Sequence, residues 1–290
     1  MKSYWLLIIF FLATFAAPYS TAREVIRVEA IQSDDNRSYV YFVDLLHEVL
    51  AKTDAENGLV EVQAVDIYVS QARAFQLLKT GQLDVIWAGT NLEREQQFAA
   101  IPIPLIGGLL GIRVPVIRQE SLSQFEAITS ADELKQLEAC QGSQWPDTDI
   151  LAFNGYKVER VISFNLMYSM LQQGRCDYFL RGMNEVYAEL TAPANKNLIA
   201  FEGIVLRYPL PMYFFVAKNN QALQQRITLG LQRMVDSGEL NAFIKQHPTT
   251  RDIFPLTQFS QSLIFELTNP MLPSSIPIDD AALWLSIPQS

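Results

Sequence analysis

Residues that bind metals or act as nucleophiles are scarce in this chain of 290 residues, which has two histidines and two cysteines. His47 and His247 lie far apart and lack metal-ligand spacing, so no metal or cofactor is expected. No Gly-x-Ser-x-Gly elbow, phosphate-binding loop or His-Glu-x-x-His motif occurs. Cations are outnumbered, 22 Lys and Arg against 31 Asp and Glu, for a net charge of −9. Phosphate contacts need clustered Lys and Arg. None cluster here, so nucleic acid is not an expected partner. After Ala17 no apolar run is long enough to cross a bilayer.

The first residues differ from the rest. Lys2 is the only charge before Arg23, Trp5 to Ala17 is almost wholly apolar, and Ser20-Thr21-Ala22 puts small residues at the end. That pattern predicts a secretory signal peptide over residues 1–22, cleaved after Ala22, and a mature chain in the periplasm. The remainder is rich enough in apolar residues, at 49% overall, to bury a large core. Its length suits two lobes of ordinary domain size.

Apolar periodicity then alternates between strand and helix. Strands are predicted over 24–30, 60–65 and 83–87, with helices over 39–50 and 70–78, the latter capped by Ser70. Strand and helix alternating at this spacing predicts an α/β lobe with a mainly parallel sheet. Such sheets bind ligands beyond the carboxyl ends of their strands. Leu105 to Arg118 predicts a long strand crossing into a second lobe, with Gly107, Gly108 and Gly111 as hinge points.

The stretch from Leu83 to Arg113 organises the chain. A strand over 84–87 leads to a turn at Ala88-Gly89, and Thr90-x-x-Glu93 reads as a capping box. Arg94 then falls in the first helical turn, where the dipole disfavours a cation. An anion docked between Arg94 and the free helix amides would resolve that conflict. The alternative is an Arg paired with Glu93 or Glu95 on a solvated face.

These residues carry a resemblance. Asp84-Val85-Ile86, Ala88-Gly89, Asn91-x-x-Arg94 and Ile101-Pro102 resemble the signature of the bacterial extracellular solute-binding proteins of family 3, the periplasmic amino-acid-binding type. The resemblance covers roughly 24–247. It implies the type 2 periplasmic binding fold, two α/β lobes, each a mainly parallel sheet flanked by helices. The expected division is 23–113 for the first part of lobe 1, 114–211 for lobe 2, and 212–290 for the rest of lobe 1 with a C-terminal tail. By position, Arg94 inherits the family's grip on a ligand carboxylate. Asn91 stands where the family has Thr, and Gly89 and Thr90 flank it.

In the second lobe, Gln141-Gly142-Ser143 followed by Trp145-Pro146-Asp147 reads as a strand, a turn and a helix start. Ser143 is the expected ligand contact there, with a plain cap as the alternative. The run 171–182, LQQGRCDYFLRG, resembles the family's Leu-x-x-Gly-Arg-x-Asp segment. The family's amino-group acceptor, an Asp five residues beyond Asp177, is here Gly182, with Arg181 beside it. Arg181 would suit a second acidic group on the ligand if it faces the cleft. The alternatives are that Arg181 points outward and pairs with Glu185, or that Glu185 replaces the missing acid. Trp87 and Tyr39 offer an apolar wall, or else pack the core. Cys140 and Cys176 fall on predicted strands of the second lobe, either bridged or as buried thiols. The tail beyond His247 is Pro-rich and expected along the first lobe.

The implied function is capture of a small polar or anionic solute by lobe closure, as a monomer serving ABC permease subunits or a membrane receptor. Two alternatives stand beside it. One is a cyclohexadienyl or prephenate dehydratase-like enzyme on the same fold, with Glu185 or Asp147 as its acid. The other is a periplasmic scaffold or sensor that binds no small molecule.

Overall fold

A computed structural model describes residues 23–31, 38–66 and 69–288. The expected leader, residues 1–22, lies outside the described residues. The first lobe opens with β1 (Glu24–Glu29), α1 (Tyr39–Ala51), the short α2 (Asp54–Asn57) and β2 (Val60–Val65), which runs parallel to β1. Helix α1 buries Tyr41, Phe42, Leu45, Leu46, Val49 and Leu50. That spacing makes one continuous apolar stripe. Each such side chain contributes about 1.5–3 kcal/mol through burial. Helix α3 (Gln71–Lys79) is capped by Ser70, whose hydroxyl accepts from the Arg73 amide.

Strand β3 (Ile86–Gly89), α4 (Leu92–Gln97) and β4 (Ala99–Ala100) follow. Here the structure departs from the sequence reading. The strand was expected over 84–87 with a turn at Ala88-Gly89, yet the ladder continues to Gly89, which pairs with Met212. The turn moves to Thr90-Asn91. Asn91, not Thr90, caps α4, because the Thr90 hydroxyl is committed to Glu95 Oε1 and its amide to the Pro211 carbonyl.

The predicted long strand over 105–118 is broken for a related reason. Gly107 and Gly108 adopt φ of 56° and 77°, values that favour glycine, and introduce a tight turn over 109–111. Strand β5 (Ile112–Arg118) begins only afterwards. The second lobe continues through α5 (Leu122–Glu126), α6 (Ala131–Leu134), β6 (Glu138–Gly142), α7 (Pro146–Phe153), β7 (Lys157–Val161), α8 (Phe164–Gln172), β8 (Tyr178–Gly182), α9 (Met183–Leu190), β9 (Leu198–Ala200) and β10 (Ile204–Arg207). Ser130 and Glu133 form a reciprocal capping box at α6.

The chain returns through residues 208–211 to β11 (Met212–Val216), then forms α10 (Gln221–Asp236) and α11 (Glu239–Gln246). Strand β11 lies between β3 and β4, antiparallel to both. The second sheet has the order β10-β5-β8-β6-β7, with β9 also on β5. Its inner pairs β8·β6 and β6·β7 are parallel, as is β1·β2. Every antiparallel pair among the described residues involves β5 or β11, the strands that follow a crossing between lobes. The two crossings touch at Gly111, where a Cβ would overlap the Tyr208 carbonyl oxygen.

The C-terminal segment was expected along the first lobe. Instead β12 (Leu263–Glu266) joins the second sheet as a parallel neighbour of β10, and the tail touches the first lobe on either side of it, Thr250 donating to the Ile244 carbonyl of α11 and the Met271 carbonyl accepting from Leu92. Leu263, Ile264 and Phe265 extend the β10 edge with strand-forming residues, which a Pro-rich reading of the tail overlooked.

Candidate ligand cleft

The carboxyl ends of β1, β3, β6 and β8 converge on a cleft between the sheets. An inner cavity of about 90 Å³ lies there, and a wider mouth of about 220 Å³ shares Trp145 and Pro146 with it. The first lobe contributes Glu29, Gln71, Trp87 and Gly89 to the inner wall. The second contributes Arg113, Asp147, Arg181 and Glu185.

Arg94 and Asn91 line the mouth. Asn91 Oδ1 accepts from the Arg94 amide at 2.8 Å, which fixes the start of α4. The Arg94 guanidinium donates to the Gly89 carbonyl and Gln71 Oε1 in its own lobe. It also donates to the Gln144 carbonyl of the second lobe at 3.1 Å and lies 4.8 Å from the Phe75 ring centroid. All three acceptors are uncharged. Burial pulls its pKa down to about 10, against the opposing fields of Asp147 and Glu93. Among the described residues no carboxylate lies within ion-pair distance of it.

Ser143 and Trp87 lie on the cleft wall, whereas Thr90 and Tyr39 line neither cavity. Thr90 is fully buried, with its polar atoms spent on Glu95 and Pro211. Ser143 lines the mouth, yet its amide donates to the Val161 carbonyl and that of Trp145 to Gly142. The turn therefore presents the Gln144 carbonyl to Arg94 rather than an amide cradle to an anion. Trp87 lines the inner cavity and packs against Phe42 and Tyr39. Tyr39 donates to the Glu29 carbonyl at 2.6 Å.

Arg181 does face the cavity, but two acids hold it. Glu189 binds it through two hydrogen bonds of 2.7 and 2.6 Å, and Glu185 lies 3.0 Å away. The rings of Trp145, Phe164 and Phe179 surround it. Burial raises the Glu189 pKa, against the lowering fields and hydrogen bonds of Arg181. Glu185 reaches back towards Gly182, and its Oε2 accepts from the Gly182 amide at 3.0 Å, capping α9.

Arg113 was missed. It is 1% exposed, ion-paired to Asp147 and 3.6 Å from Glu185. The Tyr208 hydroxyl donates to the same Asp147 oxygen at 2.7 Å. A lone charge inside the apolar run 105–117 was its signal. Cys140 and Cys176 form a disulfide with Cα atoms 5.6 Å apart. No group of three or more metal-ligating side chains occurs among the described residues. No described helix is long and apolar enough to cross a membrane.

A family model, "Bacterial extracellular solute-binding proteins, family 3", matches residues 41–249, well over half the chain. The chain belongs to this family. Its members are binding proteins of the type 2 periplasmic fold, and the two lobes seen here are of that kind. Similar solved structures include an ancestral arginine-binding protein bound to arginine, at 18% identity and a TM-score of 0.56, covering 77% of this chain and 98% of that one. A Salmonella typhimurium periplasmic binding protein of high arginine specificity aligns at 16% identity and a TM-score of 0.56, over 78% and 99%. A histidine kinase sensor domain with similarity to periplasmic binding proteins aligns at 18% identity and 0.56, over 76% and 93%. At these identities the likeness shows the fold alone. No curated protein matches the sequence.

Proposed function

We propose that the mature protein works in the periplasm and captures a small, amino-acid-like solute between its two lobes, for ABC-type uptake or for sensing. Arg94 carries the reading: a partly buried cation at the cleft, held only by uncharged acceptors. A ligand carboxylate would complement it with a bidentate, charge-assisted pair. The inner wall adds a second constraint. Glu29, Asp147 and Glu185 line it against Arg113 and Arg181, with Glu189 against Arg181. Glu185 and Asp147 on that wall would face the ligand's ammonium, so with a carboxylate at Arg94 a zwitterionic amino acid fits.

Binding by both lobes at once favours the closed arrangement, since only there are both sets of contacts made. A thermal-shift screen tests the proposal, with L-arginine, L-lysine, L-glutamine, L-glutamate, succinate and prephenate as probes. Stabilisation by an amino acid without turnover supports it. Consumption of prephenate would establish the dehydratase reading in its place. No shift with any probe would overturn small-solute capture and leave the scaffold.

A further inference from the structure

The segment 263–285 lies beyond the residues matched by the family model and contacts both lobes. Its second-lobe end is fixed by the β12·β10 ladder. Next, Thr268 and Asn154, the residue closing α7, exchange hydrogen bonds of 2.8 and 3.1 Å. Asn269 then donates to the Pro209 carbonyl, on the second crossing between the lobes. By Met271 the segment has reached the first lobe. The Met271 carbonyl accepts from Leu92, the first residue of the Arg94-bearing helix, and Ser275 donates to Glu95 on that helix. Farther on, the Leu285 amide donates to the Gly107 carbonyl, and Trp284 covers Gly108.

The tail is thus tied to the second lobe at Thr268 and to the first at Met271, with only Asn269 and Pro270 between. Three residue steps reach at most about 10 Å when fully extended. A turn already folds this link, with the Leu272 amide donating to the Asn269 carbonyl and the Met271 amide to Asn269 Oδ1. Moving the lobes apart at this point would first have to open that turn. From this geometry we infer that the tail, which crosses to the second lobe before β12 and back to the first after it, limits lobe opening and holds the Arg94 helix in register with the second lobe. Its consequence for affinity rests on the solute-binding reading; the restraint itself does not.

The test uses the full chain without ligand. Both native cysteines are in the disulfide, so spin labels on Glu48→Cys and Glu159→Cys, exposed positions in the two lobes, go where they are directed. One variant inserts Gly-Ser-Gly-Ser between Asn269 and Pro270, which keeps every contact to the two lobes, opens the turn and adds reach. A second, Asn154→Ala, removes the second-lobe pair from the surface and preserves the test if the insertion misfolds. Electron–electron resonance distances should form one narrow population in the parent. A longer population should be added in both variants, with unchanged circular dichroism. Three coincident distributions would overturn the inference and leave the solute-binding reading standing. If no probe solute binds, the distance result is unaffected.

Discussion

Arg94 of the first lobe donates across the cleft to the Gln144 carbonyl of the second, at 3.1 Å. One guanidinium therefore both faces the solute space and joins the lobes. A carboxylate arriving at Arg94 would compete with carbonyl and amide acceptors that carry no charge, and the charged acceptor is the stronger one.

Arg94→Ala should weaken binding by about 10- to 150-fold, the loss of a charged hydrogen bond of roughly 1.5–3 kcal/mol. Arg94→Lys should recover part of it, because an ammonium lacks the planar fork. Titration calorimetry with whichever probe first stabilises the protein measures both. Binding as tight as the parent's in Arg94→Ala would confine the family likeness to the fold.

Arg181 should behave differently. Its partner Glu189 is fully buried, so Arg181→Met leaves a carboxylate without its cation. Breaking a buried pair from one side costs about 3–5 kcal/mol. Urea unfolding should show that loss, and adding Glu189→Met should recover part of it. Unchanged stability in Arg181→Met would mean the pair is not held as described.

The disulfide closes a loop of sequence separation 36. In the chain-entropy model such a loop contributes about 4 kcal/mol. Cys140→Ala with Cys176→Ala should lower the urea midpoint accordingly, and reductant should then have no further effect on that variant.

Alkaline pH should destabilise the fold. Burial, then the field of Glu29, raises the Tyr39 phenol to about 12, and burial with Asp132 does the same for Tyr156. In the unfolded chain a phenol ionises near ~10. Between these values the unfolded state holds fewer protons than the folded one, so stability falls as pH rises. Urea midpoints across that window should decline, and Tyr39→Phe should flatten the decline.

Local chemistry was legible in the sequence. Ser70, Ser130 with Glu133, and Pro146 mark their helix starts as expected, since a cap depends on residues three positions away. Arg94 could be placed at the cleft from its own stretch. What could not be read was set by distant partners. Asn91 displaced Thr90 as the cap because Pro211 and Glu95 had taken Thr90's polar atoms. Arg113 meets Asp147 only once β5 and α7 are folded together. Glu185 turns back on its own helix to the Gly182 amide, which a fixed count from Asp177 does not reveal.

The central position of β11 governs the order in which the protein can be completed. This strand joins β3 to β4, pairing Phe214 with Trp87 and Phe215 with Ala100, yet it is synthesised after β5 to β10 of the second lobe. Until it emerges from the ribosome, the first lobe has an open slot lined by apolar side chains. Pairings this distant form slowly, because a long loop must close before they contribute. The lobe begun first is therefore completed only after most of the second has been made.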